Sequence, residues 1–260
     1  RVLPGGEIVA HASGFRSPNG LGLDLEGRLF VSDNQGDWIG TSCLYHVEEG
    51  NFHGHVASLV WQQGFEGRPL DVHPSELEGM RRRPCVQFPH GIMANSPTQP
   101  LCDTTEGRSG PFAGQLFVGE MNRARIMRVM LEEVDGQIQG ACIPFFDDHG
   151  LRLGNNRLAF APDGSLLVGQ TDHGWAGAKG MQRITWTGEM PMDVLRVELT
   201  GSGFDLEFTR PVDGTLASDP SIYDIRRFFY NYHAAYGSDA FDIEPVPVRS
   251  VKVSDDGLRV

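Results

Sequence analysis

An internal repeat is the feature of this 260-residue chain that most restricts its fold. The run NGLGLDLEGRLFVSDNQGDW, from Asn19 to Trp38, aligns without a gap with NRLAFAPDGSLLVGQTDHGW, from Asn156 to Trp175. GQLFVGE, at residues 114–120, repeats the second half, and SDDGLRV at the end of the sequence is a truncated fourth copy. Such repetition is typical of folds in which one small unit is used several times.

Each copy has the pattern of a strand, a turn and a second strand. Gly27, Gly114 and Gly164 occupy the same place in the turn, where glycine is favoured because the backbone needs a positive φ. The interval from Gly114 to Gly164 suits one four-stranded blade of a β-propeller. We therefore predict an all-β chain of the β-propeller type, with the three glycines in equivalent hairpin turns.

The composition agrees with this prediction and excludes other classes of protein. The 33 glycines and 16 prolines are too many for a helix bundle. The formal net charge of -12, without a basic cluster, argues against nucleic-acid binding, and no apolar run is long enough for a transmembrane helix. Cys85 and Cys102 could form a disulfide across a proline-rich loop in an oxidising compartment, and buried free thiols are the equal alternative.

Two segments carry weaker signals for other elements. The run HPSELEGMRR, at residues 73–82, predicts two helical turns with Ser75 as the cap. The run at residues 219–237 fits either a helix or a β-excursion. We divide the chain into propeller blades at residues 1–213 and a C-terminal extension, or the start of a further β element, at residues 214–260.

The sequence also resembles a known family. The runs GFRSPNGLGLDLEGRLFVSDNQGDW, GPFAGQLFVGEMNRARIMRV, NRLAFAPDGSLLVGQT and FDLEFTRPVD follow the order found in the glucose/sorbosone dehydrogenase superfamily, and they are most similar to a bacterial subgroup named as membrane-bound dehydrogenases. The similarity extends roughly from Gly14 to Asp213. It implies a periplasmic or secreted oxidoreductase, a six-bladed propeller that oxidises a sugar or polyol, with about four of the six blades present in this chain. The implied cofactors are the quinone PQQ and calcium, with a cytochrome as electron acceptor.

The resemblance implies a cofactor site at the start of the first repeat. In the family, an Arg-Asn-Pro-Gln-Gly element helps to hold the quinone, and RSPNG at residues 16–20 occupies its place here. Arg16 matches the family element, whereas Ser17 and Asn19 depart from it. A planar guanidinium can bind a carboxylate through two hydrogen bonds or stack on a ring. The alternative is that Arg16 is a surface or loop-capping residue.

The second cofactor element of the family is a pair of arginines just ahead of the sequence PDG. Gly154 and Asn156 stand at those positions, and Arg157 comes one residue later. In a regular strand, a shift of one residue turns a side chain to the opposite face of the sheet. If the family geometry is kept, Arg16 and Arg157 should point from different blades toward the same end of the propeller. The candidate cofactor-binding residues are Arg16, Ser17, Asn19, Asn156 and Arg157.

A candidate calcium site follows the second strand of the first repeat. Asp33, Asn34 and Asp37 supply hard oxygen atoms within a short loop, which is the ligand type that calcium prefers. A turn rich in Asx residues gives the same pattern without a metal. Both interpretations stay open from the sequence.

Several histidines and tryptophans have two interpretations each. His53 and His55 would share one face of an extended strand, as a metal pair, or simply form hydrogen bonds within a turn. His173 lies in a glycine turn, where it could bind a ligand or serve as a polar loop end. Trp38 and Trp175 end equivalent repeats, so they could stack on a sugar, although packing between blades is favoured.

The catalytic base is expected to lie outside this chain. In the family, a histidine takes the proton from the sugar hydroxyl as hydride passes to the quinone, and it belongs to a blade upstream of GFRSPNG. Only residues 1–13 precede that run here. We therefore expect a fragment of a longer protein, with Val253 and Val260 near an unpaired sheet edge. The alternative function is a non-catalytic propeller that binds carbohydrate or a protein partner, and an upstream blade with a histidine would favour the enzyme.

Overall fold

The computed structural model describes residues 1–172, 174 and 177–260, and most of its regular structure is strand. The strands are β1 (Gly20–Leu23), β2 (Leu29–Asp33), β3 (Ser42–Val47), β4 (Val86–Phe88), β5 (Pro97–Cys102), β6 (Leu116–Glu120), β7 (Arg125–Val134), β8 (Gln137–Asp147), β9 (Asn155–Phe160), β10 (Leu166–Asp172), β11 (Gly177–Ile184), β12 (Val194–Leu199), β13 (Phe204–Phe208), β14 (Arg226–Tyr230) and β15 (Ala240–Pro245). The helices are α1 (Pro74–Met80) and α2 (Gly214–Ala217), with 3₁₀ turns at Val56–Trp61, Pro69–Asp71 and Pro220–Ile222.

The strands form antiparallel sheets in chain order. Strands β1 to β4 and β5 to β8 form two four-stranded meanders, which we call blade 1 and blade 2, and β9 to β11 form the three-stranded blade 3. The first strand of each blade contacts the first strand of the next, β1 with β5 and β5 with β9. Successive meanders that meet at their first strands are the construction of a β-propeller, so the predicted fold class is confirmed.

The three repeat glycines lie where the repeat predicts them. Gly27 joins β1 to β2, Gly114 precedes β6, and Gly164 joins β9 to β10. Their φ angles are 77°, 82° and 87°, a conformation that a residue with a Cβ rarely adopts. The hairpin prediction is confirmed for Gly27 and Gly164. Gly114 also lies in a turn, but a long loop separates it from β5, so it does not lie in a tight hairpin turn.

Two further glycines let strands of neighbouring blades approach closely, Gly20 in β1 and Gly119 in β6. A Cβ on Gly20 would lie under 3.0 Å from backbone atoms of Gln99 in β5, and one on Gly119 would lie under 3.0 Å from the carbonyl oxygen of Asn155 in β9. Glycine at these positions therefore sets the spacing of the blades.

Blade 2 is buried on both faces, because successive strand side chains point to opposite sides. In β6, Leu116 and Val118 pack toward blade 1, together with Phe30 and Leu44. Phe117 points the other way, into a second cluster that includes Leu158 of blade 3. The core therefore lies between the blades, as in a propeller.

The C-terminal region returns to the blades in two places. Residues 232–238, which we call the C-terminal strap, lie against the loop between β2 and β3; for example, the Gly237 N–H donates to the Gly36 carbonyl at 3.0 Å. The last residues pair with β13, where Val260 and Leu206 exchange two backbone hydrogen bonds. The last residues thus extend that sheet beyond β13, and the expectation that Val253 and Val260 lie near an unpaired edge stays a prediction. The proposed division at residue 213 stays a prediction, and these contacts cross it.

The predicted helix at residues 73–82 is present as α1, but its cap differs from the prediction. His73 is the N-cap, and its Nδ1 accepts a hydrogen bond from the Ser75 N–H at 3.3 Å. The segment at residues 219–237 is mainly extended, because after one 3₁₀ turn it forms β14. Within the described part of the chain, no helix is both long and apolar enough to cross a membrane.

The four cysteines are free thiols, so the disulfide alternative for Cys85 and Cys102 is wrong. The Cys85 thiol donates to the Leu44 carbonyl at 3.2 Å, and the Cys102 thiol donates to the Gly114 carbonyl at 3.6 Å. Burial raises the pKa of Cys85 to about 12 and that of Cys102 to about 11. Both thiols are therefore protonated and weakly nucleophilic at neutral pH.

Candidate functional site

The predicted site residues lie at one end of the blades, opposite the three glycine turns. In an antiparallel meander, the segment that leads into the first strand and the loop that follows the second strand lie at the same end of the sheet. Residues 16–20 enter β1, residues 34–41 leave β2, and Asn156 and Arg157 begin β9. The blade topology thus brings residues of the first and third repeats to the same end.

A cavity of about 580 Å³ lies beside the first strands at this end. Three consecutive blades each supply one polar side chain to its wall, namely Asn19, Gln99 and Arg157. The rest of the wall is mainly apolar and is formed by Phe15, Pro18, Gly20, Leu21 and Val31. A concave, largely apolar site with a few polar groups is the usual form of a small-molecule site.

Arg157 connects two of the predicted elements. Its Nη1 donates to the Asn19 side-chain oxygen at 3.4 Å and to the carbonyl and side-chain oxygens of Asn156, both at 2.8 Å. The pairing of β9 with β10 shifts register beside Arg157, between its partner Gly169 and Gln170. The regular alternation of side chains between the two faces of the sheet is therefore interrupted there. The Arg157 side chain reaches the cavity although it stands one residue away from the position in the family pattern.

Gln99 was not predicted from the sequence. It lies in a part of β5 where the pairing with β6 is interrupted between Pro97 and Pro100. The repeat alignment does not extend to that segment, so no sequence pattern predicts on which side of the sheet the Gln99 side chain lies. Its backbone lies close to Gly20 of β1, which also lines the cavity.

Arg16 does not line this cavity. Its guanidinium lies over the ring of Tyr236 in the C-terminal strap, with the Cζ atom 5.1 Å from the ring centroid. Its backbone N–H and that of Ser17 each donate to the Asp33 carboxylate at 2.7 Å. The structure therefore brings Asn19, Asn156 and Arg157 together, and it turns the Arg16 side chain toward the loop after β2.

The predicted calcium ligands form a hydrogen-bonded turn. Both carboxylate oxygens of Asp33 accept backbone N–H groups, including that of Asn34 at 2.9 Å. Asn34 donates its side-chain amide to the Ser17 carbonyl at 3.2 Å, and Asp37 forms a β-bridge with Tyr236. Burial raises the pKa of Asp33 to about 6, against the lowering effect of its backbone hydrogen bonds. The described residues include no group of three His, Cys, Asp or Glu suited to a metal ion, so calcium binding stays a prediction.

The Asp33 turn has counterparts in the other blades, which sequence reasoning missed. Six residues after each repeat glycine stand Asp33, Glu120 and Gln170, and all three side chains are buried. Glu120 accepts the N–H groups of Asn95 and Ser96, which enter β5, at 2.9 Å and 2.8 Å. A carboxylate at the end of the second strand thus holds the entry to the first strand in blades 1 and 2.

The two histidines of the turn at residues 53–55 have separate environments. The His53 ring is buried between Phe15 and Tyr45, at centroid distances of 4.6 Å and 4.7 Å. Burial lowers the pKa of His53 to about 4. His55 instead pairs its Nδ1 with the Ser58 hydroxyl at 3.1 Å. The two rings therefore do not form the metal pair that the spacing allowed.

Of the two repeat tryptophans, Trp38 packs against the C-terminal strap. Its ring lies 5.0 Å from that of Tyr232, and its backbone N–H donates to the His233 carbonyl at 3.1 Å. The contact is thus between a blade 1 loop and the strap. His173 and Trp175 lie outside the described residues.

The strand order defines a propeller-type chain, and the cavity of Asn19, Gln99 and Arg157 lies at one end of its blades. The chain is similar to a solved structure of an oxidoreductase (glucose dehydrogenase) from Thermus thermophilus, with 20% identity and a TM-score of 0.43 over 68% of this chain and 45% of that one. It is also similar to the PQQ-bound form of aldose sugar dehydrogenase from Streptomyces coelicolor, with 19% identity and a TM-score of 0.42 over 70% of this chain and 46% of that one. This chain thus covers less than half of either structure. No protein-family model matches the chain, and no curated protein matches it.

Proposed function

We propose that this chain is part of a PQQ-type sugar or polyol dehydrogenase and that the cavity beside the first strands contributes to its cofactor site. The main observation in support is that Arg157 donates a hydrogen bond to Asn19 in the wall of a cavity of about 580 Å³. The two residues belong to the first and third repeats. This volume lies within the range of small-molecule sites. The resemblance of the sequence motifs supports the same assignment.

The residues of the cavity fit a flat, carboxylated quinone. Arg157 uses Nη1 for its hydrogen bonds to protein groups, which leaves Nε and Nη2 without a partner among the described residues. A guanidinium with free donors binds a carboxylate strongly. Phe15, Leu21 and Val31 offer apolar surface to a ring system, and the Gln99 amide adds a donor and an acceptor.

The chain's own residues would bind and orient the ligand. Asn19 and Asn156 hold Nη1 of Arg157, and Nε and Nη2 of this cavity-lining residue remain to donate to a ligand. When bound, PQQ supplies the two-electron acceptor for hydride from the sugar carbon. No described histidine lines the cavity, and we assign the base that takes the hydroxyl proton to a part of the protein outside this chain.

The further proposals follow the family resemblance. The substrate is a sugar or polyol, the electron acceptor is a cytochrome, and the protein acts in the periplasm or outside the cell. A non-catalytic propeller that binds carbohydrate or a protein partner is the alternative.

Titration of PQQ into the purified chain tests the assignment. Arg157→Ala should weaken PQQ binding roughly 10- to 100-fold, as expected for the loss of a charge-assisted hydrogen bond. Arg196→Ala is the matched control, because Arg196 is exposed and pairs only with Glu198 in the described structure. Equal PQQ affinity of the unsubstituted chain and Arg157→Ala would remove this site. Sugar binding without any PQQ binding would favour the alternative.

Activity needs the longer protein. With PQQ and calcium supplied, the parent protein should reduce a dye acceptor in the presence of an aldose. Reduction no faster than in the cofactor-free control would contradict the dehydrogenase assignment.

A further inference from the structure

A second cavity, of about 1440 Å³, lies between blade 1, the last strand of blade 2 and the hairpin of β14 and β15. Residues of β4, β8 and β14 contribute to its walls. Each of these strands lies at the edge of its sheet, so one of its sides has no partner strand in the described chain. The volume exceeds the range of about 300–1,000 Å³ that is usual for small-molecule sites. The cavity therefore suits a longer occupant.

The free main-chain groups of β8 follow from the turn that joins it to β7. The two residues of this turn, 135–136, have φ angles of 50° and 75°, which is the conformation of a two-residue hairpin. Val134 and Gln137 are register partners and form the hydrogen-bonded pair that closes the turn. Because hydrogen-bonded and non-hydrogen-bonded pairs alternate from there, every second residue of β8 directs its N–H and C=O away from β7. These residues are Ile138, Gly140 and Cys142.

The sequence of β8 agrees with this assignment. Pro144 has the next place in the same alternation, since its register partner is Met127. Proline has no N–H, so within a sheet it is confined to positions that need no donor toward the neighbouring strand. Gly140 and Cys142 both line the cavity, and within the described residues no main-chain hydrogen bond occupies their outward N–H and C=O groups. The cavity therefore contains a strand edge that is free to pair with a further strand.

Apolar side chains of other elements line the same cavity. Phe228 of β14 and Phe204 of β13 are 41% and 51% exposed, and Leu199 of β12 is 44% exposed. The Phe228 ring packs edge-to-face against Tyr230, with the centroids 5.5 Å apart. An extended chain directs successive side chains to opposite sides, so alternate side chains of a strand bound at β8 can pack against these residues.

One wall of the cavity carries an excess of positive charge. Arg81 and Arg83 both pair with the carboxylate of Glu78, at 2.7 Å and 2.9 Å. Among the described ion pairs Arg83 has no other partner, and its side chain is 78% exposed. A single carboxylate thus serves two guanidinium groups, in a chain whose formal net charge is -12. An acidic side chain on the occupant would complement Arg83.

We propose that this cavity binds an extended segment of a partner protein, which pairs with the free edge of β8 as an added strand. The walls define the chemistry of the segment: apolar side chains at alternate positions and one acidic side chain for Arg83. Strand addition of this kind takes its affinity from main-chain hydrogen bonds and its specificity from alternate side chains. The proposal is independent of the Arg157 cavity and of the function proposed for it.

Titration of fluorescent peptides into the full chain, followed by anisotropy, tests the proposal. The probes are acetylated heptapeptides in which Thr alternates with Val, Ile, Leu or Phe, with one Glu in place of a Thr. The tightest binder is then compared with two N-methylated forms, one methylated at odd and one at even positions. Only one set of N–H groups faces β8, so one form should bind about 10-fold more weakly or worse. Binding by none of the heptapeptides, or full affinity of both methylated forms, would overturn the proposal.

Two variants of the same residue test the edge of β8. Cys142→Pro removes an outward N–H without removing a hydrogen bond to β7, and it should weaken peptide binding about 10-fold. Cys142→Ser is the matched control, because it changes the same side chain and keeps the N–H, so its affinity should equal that of the unsubstituted chain. Equal affinities of the two variants would exclude pairing at this edge. If Cys142→Pro does not fold, the methylated peptides make the same test on the unsubstituted chain.

A charge reversal tests the acidic contact. Arg83→Glu should weaken binding of the Glu-containing peptide about 3-fold, and it should strengthen binding of the counterpart with Lys in place of Glu. Arg183→Glu is the control, because Arg183 is exposed in blade 3 and does not line the cavity. Equal effects of Arg83→Glu on both peptides would contradict the assignment of the acidic side chain.

Hydrogen exchange and sedimentation distinguish a partner segment from other occupants. Peptide binding should slow exchange of the amide protons of Ile138, Gly140 and Cys142, which face the added strand. If these protons exchange slowly without peptide, and the chain sediments as a dimer, the edge belongs to a second copy and the proposal is overturned. Binding of maltohexaose without binding of any heptapeptide would overturn it in favour of a carbohydrate.

Discussion

Blade 2 and the hairpin of β14 and β15 use similar side chains in opposite surroundings. In blade 2, Phe117 is buried between neighbouring blades, and the guanidinium of Arg128 is completely enclosed. In the hairpin, Phe229 and Phe241 stack on each other while 47% and 40% exposed. The comparison teaches that a strand pair in this fold gains its stability from sheets that cover both faces, rather than from the residue types it contains.

The two regions also differ in their arginine–carboxylate pairs. Arg128 contacts Asp193 at 3.2 Å, donates to the Gln115 side chain and the Val194 carbonyl at 2.6 Å each, and lies 3.7 Å above the Phe112 ring. Arg227 of the hairpin pairs with Glu244 at the surface. Since the Arg128 network joins blade 2 to the segment before β12, it should carry far more stability than the surface pair.

The largest expected effect is therefore at Arg128. Arg128→Ala should lower the free energy of unfolding by about 3–5 kcal/mol, because it leaves a cavity and removes the partners of buried polar groups. Arg227→Ala, the matched variant in the hairpin, should lower it by no more than about 1 kcal/mol. Urea denaturation followed by tryptophan fluorescence measures both.

A further variant separates charge from packing at the same position. Arg128→Met fills much of the volume without a buried charge and should lose less stability than Arg128→Ala. Equal losses for Arg128→Ala and Arg227→Ala would show that burial does not distinguish the two regions.

The blades were predictable from the sequence where local geometry dictates the residue. The glycine turns at positions 27, 114 and 164 follow from a backbone that requires positive φ, and the alternation of strand residues follows from the pleat. These signals are contained in a few consecutive residues. From them the fold class could be predicted, and also the end of the blades at which Arg157 lies.

The candidate site was only partly predictable, because its geometry depends on distant contacts. The orientation of Arg16 is set by Gly36 and by Tyr236, which is far away in sequence and has no repeat pattern of its own. Gln99 reaches the cavity because β5 is irregular between two prolines. Neither the pairing of the strap with blade 1 nor a register shift leaves a local sequence signal.

The second prediction concerns pH and a buried group of blade 1. Burial lowers the pKa of His53 from 6.5 to about 4 in the folded chain, so the unfolded chain binds more protons between these values. Stability is therefore lost as the pH falls from 6.5 to 4, by about 3 kcal/mol in total. Asp33 has the opposite effect on stability. Because its pKa is raised to about 6, the folded chain binds more protons than the unfolded chain between pH 6 and pH 3.8, so this group adds stability as the pH falls through that range.

His53→Phe isolates the histidine contribution. The variant keeps an aromatic ring between Phe15 and Tyr45 and removes two ring nitrogens that have no hydrogen-bond partner. Its free energy of unfolding should fall less than that of the unsubstituted chain when urea titrations at pH 6.5 and pH 4.5 are compared. Parallel pH curves for His53→Phe and the unsubstituted chain would mean that His53 is solvated.

The smallest expected loss of stability is at the equivalent strand-end positions of blades 2 and 3, Glu120 and Gln170. Glu120→Gln should cost about 1–3 kcal/mol, because an amide NH₂ would replace one oxygen that accepts backbone N–H groups of Asn95, Ser96 or Asn122. In blade 3, Gln170 already uses its NH₂ group, donating to the Gln182 side chain at 2.8 Å. The same repeat position thus requires a hydrogen-bond acceptor in blade 2 and a hydrogen-bond donor in blade 3.

The reverse exchange completes this test. Gln170→Glu should also destabilise the chain by about 1–3 kcal/mol, because a carboxylate cannot donate to the side-chain oxygens of Gln182 and Asn155. Glu244→Gln in the hairpin is the surface control and should change the free energy of unfolding by less than about 1 kcal/mol. If both exchanges at the blade positions were as mild as this control, the strand-end carboxylate would not hold the blade entry. The difference between blades and hairpin would then rest on apolar burial alone.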